Sequence, residues 1–174
     1  MIDLQQFCPK WAFSEWMEKP FSRAGYTWAT DGKMMVRMPL REDVPEHPQA
    51  AHAERVWPAE WPSTWRQPLR SKLPSAEMVS CDVCSGRGVK HKCPACTCTC
   101  ETCGGGGHLE VQCAVAVGAI AIPLRHARLI VGLDWVELSP PQADDALLLF
   151  RFDGGEGIVT RLRQDHTLEV VAEI

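Results

Sequence analysis

The sequence lacks the long apolar runs that mark membrane proteins and secreted proteins. No stretch of about 18 consecutive apolar residues occurs, so we expect no membrane-spanning helix and no membrane partner. The first residues, 1–6, contain no basic segment followed by an apolar core, which is how a signal peptide begins. A cytoplasmic, reducing location is therefore the expectation from the sequence.

Motifs of several common enzyme classes are also missing. The sequence contains no Gly-x-Ser-x-Gly nucleophile elbow, no phosphate-binding loop and no His-Glu-x-x-His motif, so we expect a protein that is not an enzyme. Net positive charge is lacking as well, since the formal net charge is −4. This balance opposes general binding of nucleic acid over the whole surface, because proteins that do so are usually basic.

Hydrophobic residues make up 45% of the chain, which is enough to build a packed core. The clearest strand signal surrounds Asp31-Gly32, where the flanking residues 26–30 and 33–38 are β-prone. The Asp-Gly dipeptide accepts the positive φ angles of a type I′ turn, so this segment predicts a β-hairpin.

The last third of the chain is predicted to be rich in β-structure. Residues 147–152 and 158–163 form a second hairpin around the turn 153–157, and residues 134–138 and 167–174 are further strands.

Two segments are predicted to be helical. Residues 3–18 combine a capping Asp3 with apolar residues at roughly helical spacing, although Pro9 interrupts the pattern. Residues 123–131 begin with a proline, which suits the first turn of a helix, and Gly132 ends the segment.

Residues 39–75 hold seven prolines and show no clear period, so they are predicted to form a long loop. Trp57, Trp61 and Trp65 recur in it every four residues. These rings could form an exposed platform for a partner, but we favour burial against the protein's own sheet, because large aromatic residues commonly anchor long loops.

Together these elements predict an α+β fold, in which an antiparallel sheet of hairpins packs with one or two short helices. Residues 1–75 and 109–174 form the body, and residues 76–108 form an inserted cysteine-rich module. Residues 109–117 alternate apolar with smaller or polar side chains and are predicted to be a strand, so the module is expected to sit on a β-ribbon.

The chain contains nine cysteines, and in a reducing compartment they indicate metal ligands before disulfides. Six of them form Cys-x-x-Cys pairs: Cys81 and Cys84, Cys93 and Cys96, and Cys100 and Cys103. Such a turn holds two thiolates at the separation of two vertices of a zinc tetrahedron. The first pair is 15 residues from the last, and its spacing allows a shared zinc with either the last or the middle pair.

Residues 81–88 and 100–107 both read Cys-x-x-Cys-x-Gly-x-Gly, and they resemble the cysteine-rich zinc domain of DnaJ-type co-chaperones. That family has four such repeats, of which the first and last share one zinc and the middle two share another. The resemblance covers about 27 residues and implies a first zinc site made of Cys81, Cys84, Cys100 and Cys103. The chain has no His-Pro-Asp tripeptide of a J-domain, so co-chaperone activity is not implied.

The middle of the module departs from the family pattern, because Cys93 and Cys96 form one pair without glycines. Cys98 is a third thiol in this segment, and His91 or His108 is a candidate fourth ligand. We therefore expect one zinc ion, and we keep a second zinc bound by His91, Cys93, Cys96 and Cys98 as a further hypothesis.

Outside the module the chain is similar to sliding-clamp domains, the rings that tether DNA polymerases. Residues 25–38 resemble the strand–turn–strand of a clamp unit, and residues 147–163 resemble the strands that end it. The resemblance implies a clamp-like body, and no residue role is transferred from it.

Two functions follow from the sequence. The first is a non-enzymatic zinc-binding protein whose module is a structural element that contacts a protein partner. The alternative is a nucleic-acid-associated, DNA-clamp-like protein that uses Arg87, Lys90, Lys92 and residues 66–72.

Overall fold

A computed structural model describes residues 2–9, 14–47, 51–69, 73–74, 78–90, 98–141, 147–163 and 168–174. The chain divides into two compact units. We call the larger one, Met1–Leu73 with Ala114–Ile174, the body, and the smaller one, Pro74–Cys113, the small unit. Within the described stretches, no helix has the length and apolar character needed to cross a bilayer.

The described chain is rich in antiparallel sheet and has two short α-helices, which fits the expected α+β class. In chain order the strands are β1 (Phe21–Arg23), β2 (Tyr26–Thr30), β3 (Met34–Pro39), β4 (Met78–Ser80), β5 (His108–Glu110), β6 (Ala114–Val117), β7 (Ile120–Pro123), β8 (Glu137–Leu138), β9 (Leu147–Phe152), β10 (Gly155–Thr160) and β11 (Val170–Glu173). The α-helices are α1 (Ala51–Val56) and α2 (Leu124–Val131).

The main sheet of the body has six strands in the order β1-β2-β3-β10-β9-β8, and all of its pairs are antiparallel. Both predicted hairpins are confirmed, as β2–β3 and β9–β10. The strand predicted over residues 134–138 is shorter than expected and is reduced to β8. Trp135 has a positive φ of 53°, which is incompatible with an extended strand.

The turn between β2 and β3 differs from the predicted type I′ turn, which needs two residues with positive φ. Gly32 has a φ of +84°, whereas Asp31 is not in the positive region. Instead, Asp31 Oδ1 accepts hydrogen bonds from the N–H groups of Lys33 (2.9 Å) and Met34 (2.8 Å). The carboxylate therefore stabilises a turn that needs only one glycine conformation.

The turn between β9 and β10 is also shorter than predicted. It consists of residues 153–154, and the remainder of the expected turn belongs to β10. The rings of Phe152 and Phe150 occupy the positions that a Cβ would take on Gly155 and Gly157, their partners across the hairpin. The two glycines make room for these rings, which explains their place inside a strand.

A three-stranded sheet, in the order β11-β6-β7, completes the body. One prediction is wrong here. Residues 109–117 do not form one strand, since they are divided between β5 and β6. After β6 the chain reverses at Gly118 (φ +57°) to form β7. The last strand, β11, is parallel to β6, so the body is not a purely antiparallel meander.

The helix predicted over residues 123–131 is confirmed as α2, which Pro123 precedes and Gly132 ends. The helix predicted over residues 3–18 is wrong for the described residues. They form two short 3-10 helices, Leu4–Phe7 and Glu15–Met17, and Cys8 is extended with a ψ of 147°. Pro9 disfavours helical geometry at the residue before it, which ends the first turn. Residues 10–13 lie outside the described stretches.

The long proline-rich segment contains α1 and is anchored to the main sheet. Its Ala53 joins a buried cluster with Phe21, Trp28, Met35 and Ile158. Trp57 and Trp61 pack against this cluster, and the rings of Trp57 and Trp28 meet edge to face at 4.9 Å. Both rings are partly buried, and the anchoring of the loop against the protein's own sheet by these two tryptophans is thereby confirmed.

A buried polar contact ties the β2–β3 turn to α2. His126 is fully buried, and its Nε2 lies 2.8 Å from Asp31 Oδ2, which also accepts a hydrogen bond from Arg125 (2.8 Å). Burial alone would raise the pKa of Asp31, but the hydrogen bond and charge of His126, with the two turn N–H groups, lower it to about 2. The sequence pattern did not predict this pair, because the partners are far apart in the chain.

Candidate metal centre

The small unit is built on a two-stranded ribbon in which β4 and β5 pair antiparallel. Between these strands the chain forms two loops of the same sequence pattern. We call residues 81–88 the first knuckle and residues 100–107 the second knuckle.

The two knuckles fold in the same way. In each, the N–H of the sixth residue donates to the carbonyl of the first: Gly86 to Cys81 (3.0 Å) and Gly105 to Cys100 (3.1 Å). The next N–H in each knuckle also bonds to the carbonyl of its second cysteine, at 3.1 Å in both. Because these bonds close tight turns, the two cysteines of a knuckle point to the same side.

The knuckles are also joined to each other reciprocally. Cys81 N–H donates to Gly107 O, and Cys100 N–H donates to Gly88 O, both at 2.8 Å. Equivalent residues are 19 positions apart in the sequence, so the small unit has approximate two-fold symmetry. This arrangement turns the cysteine-bearing sides of the two knuckles toward each other.

The four cysteine sulfurs meet between the knuckles and lie within 4.8 Å of one another. Cys81 Sγ is 3.9 Å from Cys100 Sγ, and Cys84 Sγ is 3.7 Å from Cys103 Sγ. A regular tetrahedron with metal–sulfur bonds of about 2.3 Å has sulfurs about 3.8 Å apart. A disulfide needs about 2.05 Å. The four sulfurs can therefore hold one metal ion and are not paired as disulfides.

Backbone N–H groups support the sulfurs. Gly88 N–H donates to Cys84 Sγ, and Gly107 N–H donates to Cys103 Sγ, each at 3.3 Å. Such bonds stabilise the thiolate form that a metal requires and fix the direction of the sulfur.

These two glycines are required by the fold of the knuckles. Gly88 and Gly107 have φ angles of +75° and +74°. A Cβ on Gly88 would overlap the backbone of Gly105, and a Cβ on Gly107 would overlap the backbone of Gly86, the carbonyl carbon lying 2.9 Å away in both cases. The approach of the knuckles is close enough to exclude any side chain at either position.

Among the residues that the structure describes, the buried side chains of the small unit are mainly the cysteines themselves. Cys81, Cys84 and Cys100 are fully buried, and Cys103 and Leu109 are partly buried against them. The backbone N–H of Cys103 lowers the pKa of Cys100 to about 7. The N–H of Cys84 lowers the pKa of Cys81, but burial and the hydrogen bonds of the neighbouring thiols outweigh it and raise that pKa to about 11.

The other predicted ligands are placed as follows. Cys98 is exposed, and its carbonyl accepts a hydrogen bond from Lys90 N–H (2.9 Å). His108 Nδ1 lies 3.3 Å from Gly106 O and is exposed. His91, Cys93 and Cys96 lie outside the described residues. A second zinc, and the alternative pairing through Cys93 and Cys96, therefore remain predictions from the sequence.

Two basic residues proposed to meet nucleic acid have partners inside the small unit. Arg87 Nε donates to Cys84 O (2.9 Å), and Lys90 forms an ion pair with Glu101 (3.1 Å). Lys92 and residues 70–72 lie outside the described stretches. Nucleic-acid association remains a prediction from the sequence.

Cys8 and Cys113 are not part of the cluster. Burial raises the pKa of Cys8 to about 11, so its thiol stays protonated at neutral pH.

The sequence did not predict the reciprocal bonds between the knuckles, although the repeat at a constant offset was a signal of their symmetry.

Comparisons with protein-family models, with curated proteins and with solved structures found no match for this chain. The DnaJ-type and clamp-like resemblances therefore rest on the sequence patterns alone.

Proposed function

We propose that the small unit is a zinc module of structural type and that the protein is a non-enzymatic zinc-binding protein. The observation that carries this proposal is the four-sulfur cluster, in which two knuckles hold Cys81, Cys84, Cys100 and Cys103 at tetrahedral spacing. Tetrahedral sets of four thiolates suit zinc or iron, and knuckles of this kind are typical of structural zinc.

A structural role is favoured over a catalytic one by the number of protein ligands. A catalytic zinc keeps one position open for water or substrate, whereas four cysteines close the coordination sphere. Bound zinc would stabilise the fold of the small unit through four metal–sulfur bonds, and this role involves no chemical reaction.

The resemblance to the DnaJ-type cysteine-rich domain agrees with this proposal. In that family the outer two repeats share one zinc, and the outer two repeats of this module are the ones that face each other. We propose that residues 74–113 are an inserted module of that kind, carried by the β4–β5 ribbon.

Metal analysis of the purified chain tests the zinc proposal. We expect at least one tightly bound zinc per chain, and the zinc content should fall by one in Cys81→Ser and in Cys100→Ser. Cys113→Ser is the matched control, since Cys113 lies outside the cluster, and it should keep the full metal content. Purified protein without zinc, or equal loss in the control, would contradict the proposal.

We further propose that the module contacts a protein partner. Three apolar side chains of the small unit, Met78, Val79 and Val83, are more than two-fifths exposed, and exposed apolar groups of this kind are typical of contact surfaces. A photo-crosslinking residue at position 83 should trap a protein in cells that express the chain. The same residue at exposed Glu42 of the body is the control. Identical adducts at both positions would argue against a contact specific to the module.

A further inference from the structure

The two-fold symmetry of the small unit is broken at one pair of equivalent cysteines. Cys84 and Cys103 occupy the same place in the two knuckles, 19 residues apart, and each accepts a backbone N–H at 3.3 Å. Cys84 is fully buried, whereas Cys103 is partly exposed to solvent. The two cysteines therefore differ in exposure although the backbone hydrogen bonds around them are equivalent.

The residue three positions after each cysteine differs between the two knuckles. In the first knuckle it is Arg87, whose Nε donates to Cys84 O at 2.9 Å, so the side chain lies against the knuckle. In the second knuckle the equivalent residue is Gly106, which has no side chain to cover its cysteine. A side chain therefore lies against the cysteine turn in the first knuckle, and none does at the equivalent place in the second.

We propose that Cys103 is the reactive ligand of the centre, the position at which small thiol-directed electrophiles modify the module and open the metal site. This inference rests on the proposed zinc site. Burial protects the other three sulfurs, because a reagent reaches them only after the module opens locally. Cys103 can be reached while the knuckles remain closed.

The reaction with a maleimide illustrates the chemistry. Cys103 Sγ forms a bond to one carbon of the maleimide double bond, and the other carbon takes up a proton from water. The sulfur becomes a neutral thioether, which is a poor metal ligand compared with a thiolate. The bound metal then keeps three cysteine ligands, and no oxidant or reductant is needed.

Limited labelling of the full zinc-loaded chain with N-ethylmaleimide tests the inference. Fragment mass spectra assign the modified cysteine, and a chromogenic chelator records released zinc over the same period. We expect Cys103 to be modified before Cys81, Cys84 and Cys100, with zinc release following its modification. Labelling of Cys84 at the same rate as Cys103 would overturn the inference. Exposed Cys98 is mapped separately, since its labelling should not release this zinc.

Two reciprocal variants provide a test that does not depend on the folding of one variant alone. Gly106→Arg should protect Cys103 several-fold, and Arg87→Gly should raise the labelling of Cys84 several-fold. Gly106 is not in the positive φ region, and a Cβ there would lie 3.4 Å from Cys103 O, an ordinary contact. If one variant fails to fold, the other still decides, and unchanged labelling in a folded variant counts against the inference.

Zinc content measured before labelling separates the two proposals. A chain that contains no zinc removes the proposed function and this inference with it. A chain that contains zinc but shows no preference for Cys103 removes only the inference.

Discussion

The body and the small unit are stabilised in different ways. The body buries large apolar side chains on both faces of its main sheet, including Trp28, Met34 and Phe150. Among its described residues, the small unit buries three cysteines, with one leucine packed against them. An apolar core grows with the size of a domain, and a unit of about 40 residues rarely builds one that suffices. We therefore expect the small unit to depend on a bound metal for its fold more than the body does.

The largest effect is expected from removal of one metal ligand. Cys81→Ser should unfold the small unit, because structural zinc contributes roughly 10 kcal/mol or more of apparent folding free energy. Hydrogen exchange should show loss of protection in residues 78–90 and 98–110, with the strands of the body unchanged. Cys113→Ser should leave both units protected. Loss of protection in β9 and β10 would mean that the two units are not stabilised separately.

A slightly smaller effect is expected from a methyl group between the knuckles. Gly88→Ala should cost about 4 kcal/mol or more and weaken zinc binding, because its Cβ overlaps the backbone of Gly105. Gly25→Ala in the body is the matched control, since Gly25 has a similar φ (+78°) but no atom within 4 Å. It should cost only about 1 kcal/mol from backbone strain. Competition with a zinc chelator measures the zinc affinity of Gly88→Ala, and denaturant unfolding measures the stability of Gly25→Ala.

Phe150→Ala tests the apolar core of the body. Phe150 is fully buried and its ring packs over Gly157, so its removal should destabilise the body by about 3–5 kcal/mol. Denaturant unfolding followed by tryptophan fluorescence reports the body alone, since all seven tryptophans lie within it. Zinc content should remain that of the unaltered chain, and a variant that loses zinc would show coupling between the units.

The smallest effect is expected at the half-buried carboxylate of Asp31 in the body. Asp31 has a pKa of about 2 in the folded chain against an ordinary 3.8, so its ionised form stabilises the fold by about 2 kcal/mol above pH 4. The lowered pKa means that this contribution is lost as pH falls from about 4 to about 2. Asp31→Asn should be less stable at pH 7, and the difference from the unaltered chain should shrink across that pH range. A constant difference in unfolding free energy would contradict the role of the charge.

Features set by neighbouring residues were predictable from the sequence. The two hairpins follow from β-prone runs around Asp-Gly dipeptides, and α2 follows from Pro123 and Gly132 at its ends. The turn of each Cys-x-x-Cys pair is local and follows from its sequence, whereas the pairing of the first knuckle with the last was implied by the DnaJ-type resemblance and not by the spacing.

Features set by contacts between distant residues were not predictable in this way. The sequence predicted that Gly155 and Gly157 belong to a turn. The rings of Phe152 and Phe150 across the hairpin explain why these glycines lie in a strand. The contact between Asp31 and His126 joins residues 95 positions apart. The bond from Arg87 to Cys84 O, which has no counterpart at Gly106, also depends on the folded knuckle.

We propose that the two knuckles alone form a zinc site. X-ray absorption at the zinc edge tests this directly on a chain in which Cys93, Cys96 and Cys98 are replaced by serine, so that the module keeps only the four clustered cysteines. We expect one zinc per chain, bound by four sulfurs at about 2.3 Å. A variant without zinc, or a zinc with nitrogen or oxygen among its ligands, would contradict it.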